Sequence, residues 1–229
     1  MAKAIAFFDI DNTMYEGFSY FELLEKQVAE GTIDRRVLTG ATASMRKYKA
    51  KTQDYETTIV ALLNIYAAGL KGASYDAVLQ STKEFYAASP KFFSYAKPVV
   101  DAFRESHDLA IVTGEPQFVA EAVREQFGMQ AYYATEFEVQ SGVFTGAVAS
   151  HLATRHEKHD AIKHLMQGHA ARNSFAFGDS DGDIEMLRAV EYPICLNATE
   201  PLQRVAKKEG WHQPAPEQVV PLVRELLAR

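Results

Sequence analysis

The sequence predicts an α/β protein: a Rossmann-like parallel sheet core with helices on both faces, and an all-α cap domain inserted after the first strand. Short apolar runs alternate with longer stretches of helical spacing, as they do in parallel sheets. Residues 16–95 interrupt this alternation with helical patterns only. Acidic and small polar residues follow several of the apolar runs. They therefore belong at the sheet edge where open α/β sheets bind ligands.

The core elements follow from local pattern. Residues 136–146 alternate around Ser141-Gly142 and predict a β-hairpin. Pro116 suits the first helical position, where its missing N–H costs nothing. Buried strands are predicted at 5–8, 109–112, 132–134, 175–177 and 192–196, and helices at 116–127, 158–167, 184–189 and 217–228.

The inserted segment is predicted to be entirely helical. Its helices span 18–30, 35–49, 55–68 and 75–88, separated by Gly31, Thr52 and the stretch 69–72. A helical block directly behind the first strand is most simply a cap over the carboxyl edge of the sheet. We therefore expect a core domain of residues 1–15 and 96–229 and a cap domain of residues 16–95.

Composition excludes several classes of protein. The chain has 229 residues, 47% hydrophobic content and a net charge of −6. The negative charge argues against a nucleic-acid binder, since such proteins need a basic field to release counterions. The single cysteine, Cys195, excludes an internal disulfide. The N-terminus lacks a signal-peptide pattern, and no apolar run is long enough to span a membrane. The sequence therefore predicts a soluble cytoplasmic protein and does not predict its oligomeric state.

Polar segments after four predicted strands carry the candidate chemistry. Asp9 and Asp11 end the first strand, and adjacent buried carboxylates are costly unless a positive charge lies between them. Three clusters of carboxylates and small residues, together with one lysine, suggest a binding site for a divalent cation and a phosphate. The carboxylates suit the cation because Mg²⁺ prefers hard oxygen ligands. The other segments are Thr113-Gly114-Glu115, Lys158, and the stretch 178–183, which reads GDSDGD.

The ordered set of motifs resembles the haloacid dehalogenase superfamily of phosphotransferases, in its phosphoserine-phosphatase-like branch with a helical cap. FFDIDNT is similar to the DxDxT motif, IVTGE to the strand-ending Thr/Ser motif, and FGDSDGDIEML to the GDxxxD motif. Motif order, spacing and cap position agree over nearly the whole chain. The resemblance implies a Mg²⁺-dependent phosphatase that acts on a small phosphomonoester.

The resemblance also implies a role for each motif residue. Asp9 would be the nucleophile that forms an aspartyl-phosphate, and Asp11 the general acid and then base. Thr113 and the Gly114 amide would hold phosphate oxygens, and Lys158 would neutralise the charge shared by Asp9 and the phosphoryl group.

The implied metal ligands are Asp9, the Asp11 backbone carbonyl and Asp179, with Asp183 binding the metal or orienting its waters and Lys158. A calcium loop is excluded, because Ile184 and Val190 occupy the positions that require Gly and Glu.

Two alternatives concern basic residues. Lys163 competes with Lys158 for the phosphate-binding role. A zinc site could involve the histidines, but their spacing favours a solvated helix face. These histidines are His151, His156, His159, His164 and His169.

The substrate is the least determined feature. Phosphoserine phosphatases carry an acidic residue nine positions after the nucleophile, and here Phe18 stands there, with Glu16 the nearest acid. Phe18 and its aromatic neighbours are either part of a helix core, as such spacing usually indicates, or a sign of an aromatic or apolar leaving group. The basic run that begins at Arg46 is either a solvated helix face or a steering patch for an anionic substrate.

Three functions are consistent with the sequence. The first is a phosphatase, with phosphoserine or an amino-alcohol phosphate such as histidinol phosphate among its possible substrates. The second is a phosphotransferase that keeps the Asp9 nucleophile. The third is a binding module without activity, against which the intact motif set argues.

Overall fold

The structure is a computed structural model that describes residues 2–152 and 155–229. Its core is a six-stranded sheet. The strand order is β4-β3-β2-β1-β5-β6, and every neighbouring pair is parallel except β3 and β4. The strands are β1 (Lys3–Phe8), β2 (Asp108–Pro116), β3 (Ala131–Gln140), β4 (Val143–Ser150), β5 (His169–Gly178) and β6 (Tyr192–Cys195). The predicted fold class is confirmed.

The strand order creates a crevice beside β1. The chain runs from β1 to β2 and β3 on one side and returns to β5 and β6 on the other. At such a switch point, the loops after neighbouring strands diverge and leave room for a ligand. The carboxyl ends of β1, β2 and β5 meet there. The topology therefore brings the predicted polar segments to one place.

Strand β3 belongs both to the parallel sheet and to the hairpin with β4. β3 pairs in parallel with β2 near its start and antiparallel with β4 near its end. The turn residues Ser141 and Gly142 have φ values of 51° and 79°. Two successive positive φ values suit a two-residue hairpin turn. The strand predicted at 132–134 and the hairpin predicted at 136–146 are thus parts of one unit.

Four helices lie between β1 and the next core helix. Asp34 and Asp54 cap the second and third helix, accepting hydrogen bonds from Arg36 N at 2.7 Å and Thr57 N at 2.8 Å. Such caps satisfy amides that would otherwise lack partners at a helix start. The helices are α1 (Ser19–Ala29), α2 (Arg35–Lys49), α3 (Tyr55–Gly69) and α4 (Tyr75–Ala88).

The remaining helices cover the sheet. Pro116 is the residue before α6 rather than its first residue, a difference of one position from the prediction. The sequence analysis did not predict α5 and α9, which are short and separated from strand signals by few residues. The helices are α5 (Ala96–Phe103), α6 (Gln117–Phe127), α7 (Arg155–Leu165), α8 (Ile184–Arg188), α9 (Glu200–Glu209) and α10 (Val219–Leu227).

Apolar side chains pack on both faces of the sheet. Phe8 and its neighbours on one face form a cluster that continues into the interior of α1–α4, whereas Phe7 faces a second cluster under α7 to α9. Strands buried on both faces have continuous apolar sequences, which is why the strand runs were recognisable. No helix in the described parts of the chain has the length and apolarity needed to cross a membrane.

Helices α3 and α4 are joined to the core by backbone hydrogen bonds. Gly72 N donates to Phe144 O at 2.9 Å, and Phe144 N donates to Ala73 O at 3.0 Å. The two segments that connect the four helices to the rest of the chain also pair with each other, since Glu16 N donates to Lys91 O at 2.9 Å. The four helices are therefore held over the carboxyl edge of the sheet at both ends.

Candidate active site

Asp9 and Asp11 lie in a tight turn at the end of β1. Asp9 is buried, and its amide donates to Phe177 O at 3.0 Å, which continues the pairing with β5. The Ile10 carbonyl accepts the amides of Thr13, Met14 and Tyr15 at 3.2, 2.8 and 2.9 Å. This turn places both carboxyl groups at the carboxyl edge of the sheet.

The Asp11 carboxylate caps helix α1 from outside the helix. It accepts hydrogen bonds from Ser19 N at 3.2 Å and from Ser19 Oγ at 2.9 Å. Phe18, at the usual capping position, provides no side-chain cap. The helix N-terminus favours the negative charge. The Ser19 hydroxyl is itself held by Tyr86, whose hydroxyl lies 2.8 Å away. Asp11 therefore has hydrogen-bond partners different from those of Asp9, which contacts Lys158.

Lys158 is the lysine that reaches the site. Its Nζ lies 3.3 Å from Asp9 Oδ1 and 2.8 Å from Asp183 Oδ1, and the residue is buried. Burial disfavours its charge, but the carboxylates of Asp183 and Asp9 outweigh that effect and raise the pKa of Lys158. The competitor, Lys163, is exposed. The ammonium group therefore stays charged next to the Asp9 carboxylate.

Asp183 organises the loop after β5. Its Oδ2 accepts hydrogen bonds from Asp179 N at 3.2 Å, Ser180 N at 3.1 Å and Ser180 Oγ at 3.1 Å. Gly178 is required here, because a Cβ at that position would lie 2.5 Å from the Asp183 Cβ. The loop can close around Asp183 only with glycine before Asp179.

Three carboxylates converge in a geometry that fits a divalent cation. One oxygen from each of Asp9, Asp179 and Asp183 lies within 4.8 Å of the others. Burial first, and then the charges of neighbouring aspartates, raise the pKa of Asp9 to about 7 and that of Asp179 to about 9. A bound cation relieves this repulsion, and a set of hard oxygen donors suits Mg²⁺. In the described residues, no histidine joins this group.

Thr113 and Gly114 lie at the end of β2, directly before helix α6. Thr113 is buried, and its Oγ1 accepts the Glu115 amide at 3.3 Å. The Gly114 carbonyl accepts a hydrogen bond from Thr135 Oγ1 at 2.8 Å. The first amides of α6 follow, and helix N-termini favour anions. This segment can therefore contact a phosphate group.

A cavity of about 520 Å³ joins these residues to the helices above them. Its polar floor includes Asp9, Asp11, Thr113, Gly114, Lys158 and Asp179. Side chains from α1, α2 and α3 form the opposite wall. The structure thus brings the predicted catalytic, phosphate-binding and metal residues together, with Asp183 behind Lys158.

The predicted specificity residues divide into two groups. Phe18 lines the cavity and stacks on Tyr20 with ring centroids 5.6 Å apart. Glu16 and Arg46 are exposed, and neither is among the described residues that line the cavity. The adjacent Met45 lines it instead. The side chain of Arg46 follows the exposed face of α2, whereas that of Met45 points inward.

The sequence analysis gave no role to Glu115, Ser19 or Tyr55. Glu115 lines the cavity and is buried, and its Oε2 has no hydrogen-bond partner. Burial raises its pKa to about 7, a hydrogen bond with Asp11 opposes the rise, and the Asp9 charge adds to it. A signal for Glu115 was its place directly after Thr113-Gly114 at the end of a buried strand.

Known relatives agree with this arrangement. The family model for haloacid dehalogenase-like hydrolase matches residues 6–188. A histidinol-phosphatase from Neisseria meningitidis serogroup C is 25% identical over 91% of this chain and 97% of its own length. Phosphoserine phosphatase SerB1 from Mycobacterium tuberculosis is 22% identical over 91% of this chain and 69% of its own length.

Solved structures share the fold. A protein of unknown function from Bordetella pertussis Tohama I aligns with a TM-score of 0.77 at 23% identity, covering 94% of this chain and 100% of its own. A phosphoserine phosphatase with a phospho-aspartyl intermediate analogue aligns with a TM-score of 0.63 at 17% identity, covering 89% and 91%. The chain therefore belongs to the haloacid dehalogenase-like hydrolase family.

Proposed function

We propose that this enzyme is a Mg²⁺-dependent phosphatase that hydrolyses a small phosphomonoester through an aspartyl-phosphate on Asp9. The observation that carries the proposal is the contact of Lys158 with both Asp9 and Asp183, at 3.3 and 2.8 Å. A nucleophilic carboxylate needs a neighbouring positive charge when a phosphoryl group approaches it. Lys158 provides that charge inside a buried site.

The first half-reaction forms a bond between an Asp9 carboxylate oxygen and phosphorus and breaks the bond to the leaving oxygen. Thr113, the Gly114 amide and Lys158 hold the phosphoryl oxygens during the transfer. Asp11, held apart by Ser19, gives its proton to the leaving oxygen. Burial and the charge of Glu115 raise the pKa of Asp11 well above its usual range, which supports its role as an acid.

The second half-reaction returns the enzyme to its starting state. Asp11, now a carboxylate, accepts a proton from water as that water attacks the phosphorus of the aspartyl-phosphate. Inorganic phosphate leaves, and Asp9 and Asp11 recover their starting forms. Asp9, Asp179, Asp183 and the Asp11 backbone carbonyl would hold Mg²⁺. When bound, the cation supplies charge neutralisation and orientation for the phosphoryl group.

The helical segment has a role in this proposal. Residues 16–95 would act as a cap domain over a core of residues 1–15 and 96–229, because α1, α2 and α3 form the wall of the cavity opposite the reactive groups. The histidinol-phosphatase among the relatives supports an amino-alcohol phosphate as one substrate class. A cytoplasmic location stays a prediction from the sequence.

A phosphotransferase is the second candidate. The same Asp9 chemistry would deliver the phosphoryl group to an acceptor hydroxyl, and a covered cavity could favour that acceptor over water. Product analysis with an added alcohol separates the two candidates. Inorganic phosphate as the sole product rejects transfer.

The decisive experiment measures phosphate release from p-nitrophenyl phosphate with Mg²⁺. Wild-type enzyme should release phosphate and form a covalent phosphoenzyme that hydroxylamine cleaves after an acid quench. Asp9→Asn should abolish both signals, whereas the matched control Asp160→Asn, at an exposed position on α7, should keep both. Wild-type turnover by Asp9→Asn would reject Asp9 as the nucleophile.

A further inference from the structure

We propose that the cavity selects monoesters whose leaving group is apolar and carries no negative charge, and that Glu115 sets this charge preference. The inference deepens the proposed function and depends on it. The inference concerns the part of the cavity that would surround the leaving group. The residues there have no role in the proposed phosphoryl transfer. The class of substrate is an alkyl or aryl phosphate without a carboxylate.

The first observation is the composition of the cavity wall. Facing the reactive floor, α1, α2 and α3 contribute a nearly continuous apolar and aromatic surface. A volume of about 520 Å³ exceeds what a phosphate group needs by several-fold. An apolar leaving group gains from removing this surface from water. Six of its residues are Phe18, Tyr20, Met45, Tyr48, Ile59 and Leu62.

The aromatic residues of this wall are held in place. Tyr20 donates a hydrogen bond to Leu62 O at 2.8 Å, and its ring stacks on Phe18. At the other side, Tyr48 and Tyr55 meet edge to face with ring centroids 5.8 Å apart. Both are partly exposed although they line the cavity. Exposed aromatic rings beside a cavity are available for contact with a ligand.

The second observation is the carboxyl group of Glu115. It is 6% exposed, it lines the cavity, and Oε2 has no hydrogen-bond partner. Glu115 shares the cavity lining with Tyr20 and Leu62 of the apolar wall. A buried carboxyl oxygen without a partner is costly unless a ligand satisfies it. Glu115 therefore favours a donor or a cation on the leaving group.

The third observation is the distribution of positive charge. Lys158 is the cationic residue among the described residues of the cavity lining, and both of its contacts are taken by Asp9 and Asp183. A carboxylate on the leaving group would lie near Glu115 without a partner of its own. Like charges brought together away from water repel strongly. The cavity thus disfavours anionic leaving groups.

A different role for Glu115 makes a different prediction. Through its hydrogen bond with Asp11, Glu115 could only position the general acid. Loss of a positioning role would slow substrates of equal leaving-group chemistry by the same factor. Loss of a charge filter changes the ratio between substrates. The experiment therefore compares substrates of equal leaving-group chemistry.

The charge experiment uses the phosphate esters of three phenols that carry similar alkyl groups at position 4 and differ in the charge on that group. These are 4-ethylphenyl phosphate, tyramine O-phosphate and 3-(4-phosphooxyphenyl)propanoate, which are neutral, cationic and anionic at the alkyl end. For wild-type enzyme, kcat/KM for the first two should exceed that for the third by about tenfold or more. Glu115→Gln should reduce that ratio to about threefold or less. Glu16→Gln, at an exposed acid outside the lining, should keep the wild-type ratio.

The size arm uses straight-chain alkyl phosphates. The value of kcat/KM should rise by about tenfold or more from ethyl to hexyl phosphate, since each buried methylene adds favourable transfer free energy. Met45→Gln, which places an amide in the wall, should flatten this rise. Circular dichroism establishes that each variant is folded before it is compared.

The results that overturn the inference are specific. They are equal wild-type rates with the three aryl phosphates, a uniform loss in Glu115→Gln, or no dependence on chain length. Absence of phosphate release from every ester, including p-nitrophenyl phosphate, would instead reject the proposed function. If no ester is hydrolysed, calorimetry measures the affinities of ethylphosphonate and hexylphosphonate, which tests the apolar wall without any catalytic step. Equal affinities would overturn the inference in that case.

Discussion

Lys158 and Asp183 form a buried ion pair with Nζ and Oδ1 2.8 Å apart, and their side chains are 7% and 0% exposed. The same ammonium group lies 3.3 Å from Asp9 Oδ1. Asp183 also accepts hydrogen bonds from the loop that carries Asp179. One carboxylate thus connects the lysine, the predicted nucleophile and the predicted metal ligand. Asp183 therefore contacts groups of the site although it does not itself line the cavity.

Asp183→Asn should lower kcat by about 10- to 100-fold, as loss of an orienting partner behind an active-site group commonly does. The amide keeps the shape but cannot hold the Lys158 ammonium with a full charge. Steady-state kinetics with p-nitrophenyl phosphate measures the loss. Asp160→Asn, which removes an exposed carboxylate from α7, should stay near wild type. Equal turnover in Asp183→Asn and wild type would contradict the positioning role.

Lys158→Met should lower kcat by about 100-fold or more, because it removes the positive charge beside the transferred phosphoryl group. Lys163→Met changes the exposed lysine on the same helix and should be nearly neutral. The paired measurement separates loss of charge at the site from loss of charge on α7. A comparable fall in both variants would show that helix stability, rather than Lys158, is responsible.

Asp11→Asn should affect poor leaving groups far more than good ones. An alkyl alkoxide needs a proton as it leaves, whereas p-nitrophenolate does not, and general acid catalysis contributes about 10²- to 10⁴-fold. The ratio of kcat/KM between variant and wild type, measured with hexyl phosphate and with p-nitrophenyl phosphate, reports the transfer to Asp9 and not the later attack by water. Ser19→Ala, which removes one hydrogen bond to Asp11, should show a smaller effect in the same direction. An equal loss with both substrates would argue against Asp11 as the acid.

Mg²⁺ should raise the melting temperature of the wild-type protein. A cation that binds only the folded state stabilises it by mass action, and here it also relieves repulsion among three buried carboxylates. Differential scanning fluorimetry with a Mg²⁺ titration, reversed by EDTA, measures the shift. Asp179→Asn should remove most of the shift, and Asp160→Asn should retain it. A full shift in Asp179→Asn would place the cation elsewhere.

His107 should make the protein less stable in acid. Burial lowers the pKa of His107 below 6.5, partly opposed by its hydrogen bond to Asn173 O, while Lys3 and Asp108 act in opposite directions. The unfolded chain therefore binds the proton more readily than the folded one. The contribution of His107 to stability is complete above pH 6.5 and is lost as the pH falls through the folded pKa.

Urea unfolding at pH 7.5 and about pH 5.5 tests this prediction. The free energy of unfolding of wild type should fall more between the two values than that of His107→Gln. The buried carboxyl groups of the site titrate in both proteins, so their effect cancels in the difference. Parallel changes in the two proteins would assign the acid sensitivity to other groups.

The predictable parts of the fold are those with a local cause. Strands β1, β2, β5 and β6 are buried on both faces, and that burial requires the continuous apolar runs seen in the sequence. Helices α5 and α9 were not predicted, although the shorter helix α8 was. The continuity of β3 depends on two partners of opposite direction, which no local pattern describes.

The candidate site divides in the same way. The motifs around Asp9, Thr113 and Asp179 were identified because each follows a strand, and parallel strands bring their carboxyl ends together. The sequence favoured Lys158 over Lys163, and the structure places Lys158 against Asp9 and Asp183. Glu16 was the nearest acid in sequence but is exposed, whereas Glu115 is distant in sequence and lines the cavity.

The sequence by itself therefore determined the fold class, the family and the set of groups for phosphoryl chemistry, because these depend on local burial patterns and on motifs at strand ends. Only the tertiary structure decided which side chains surround the leaving group. That surface combines the end of β2 with helices α1, α2 and α3, of which α3 packs against α6 and the hairpin and α2 packs against α3. Packing between distant segments has no signature in any one of them, so the environment of Glu115 became visible only when the chain was folded.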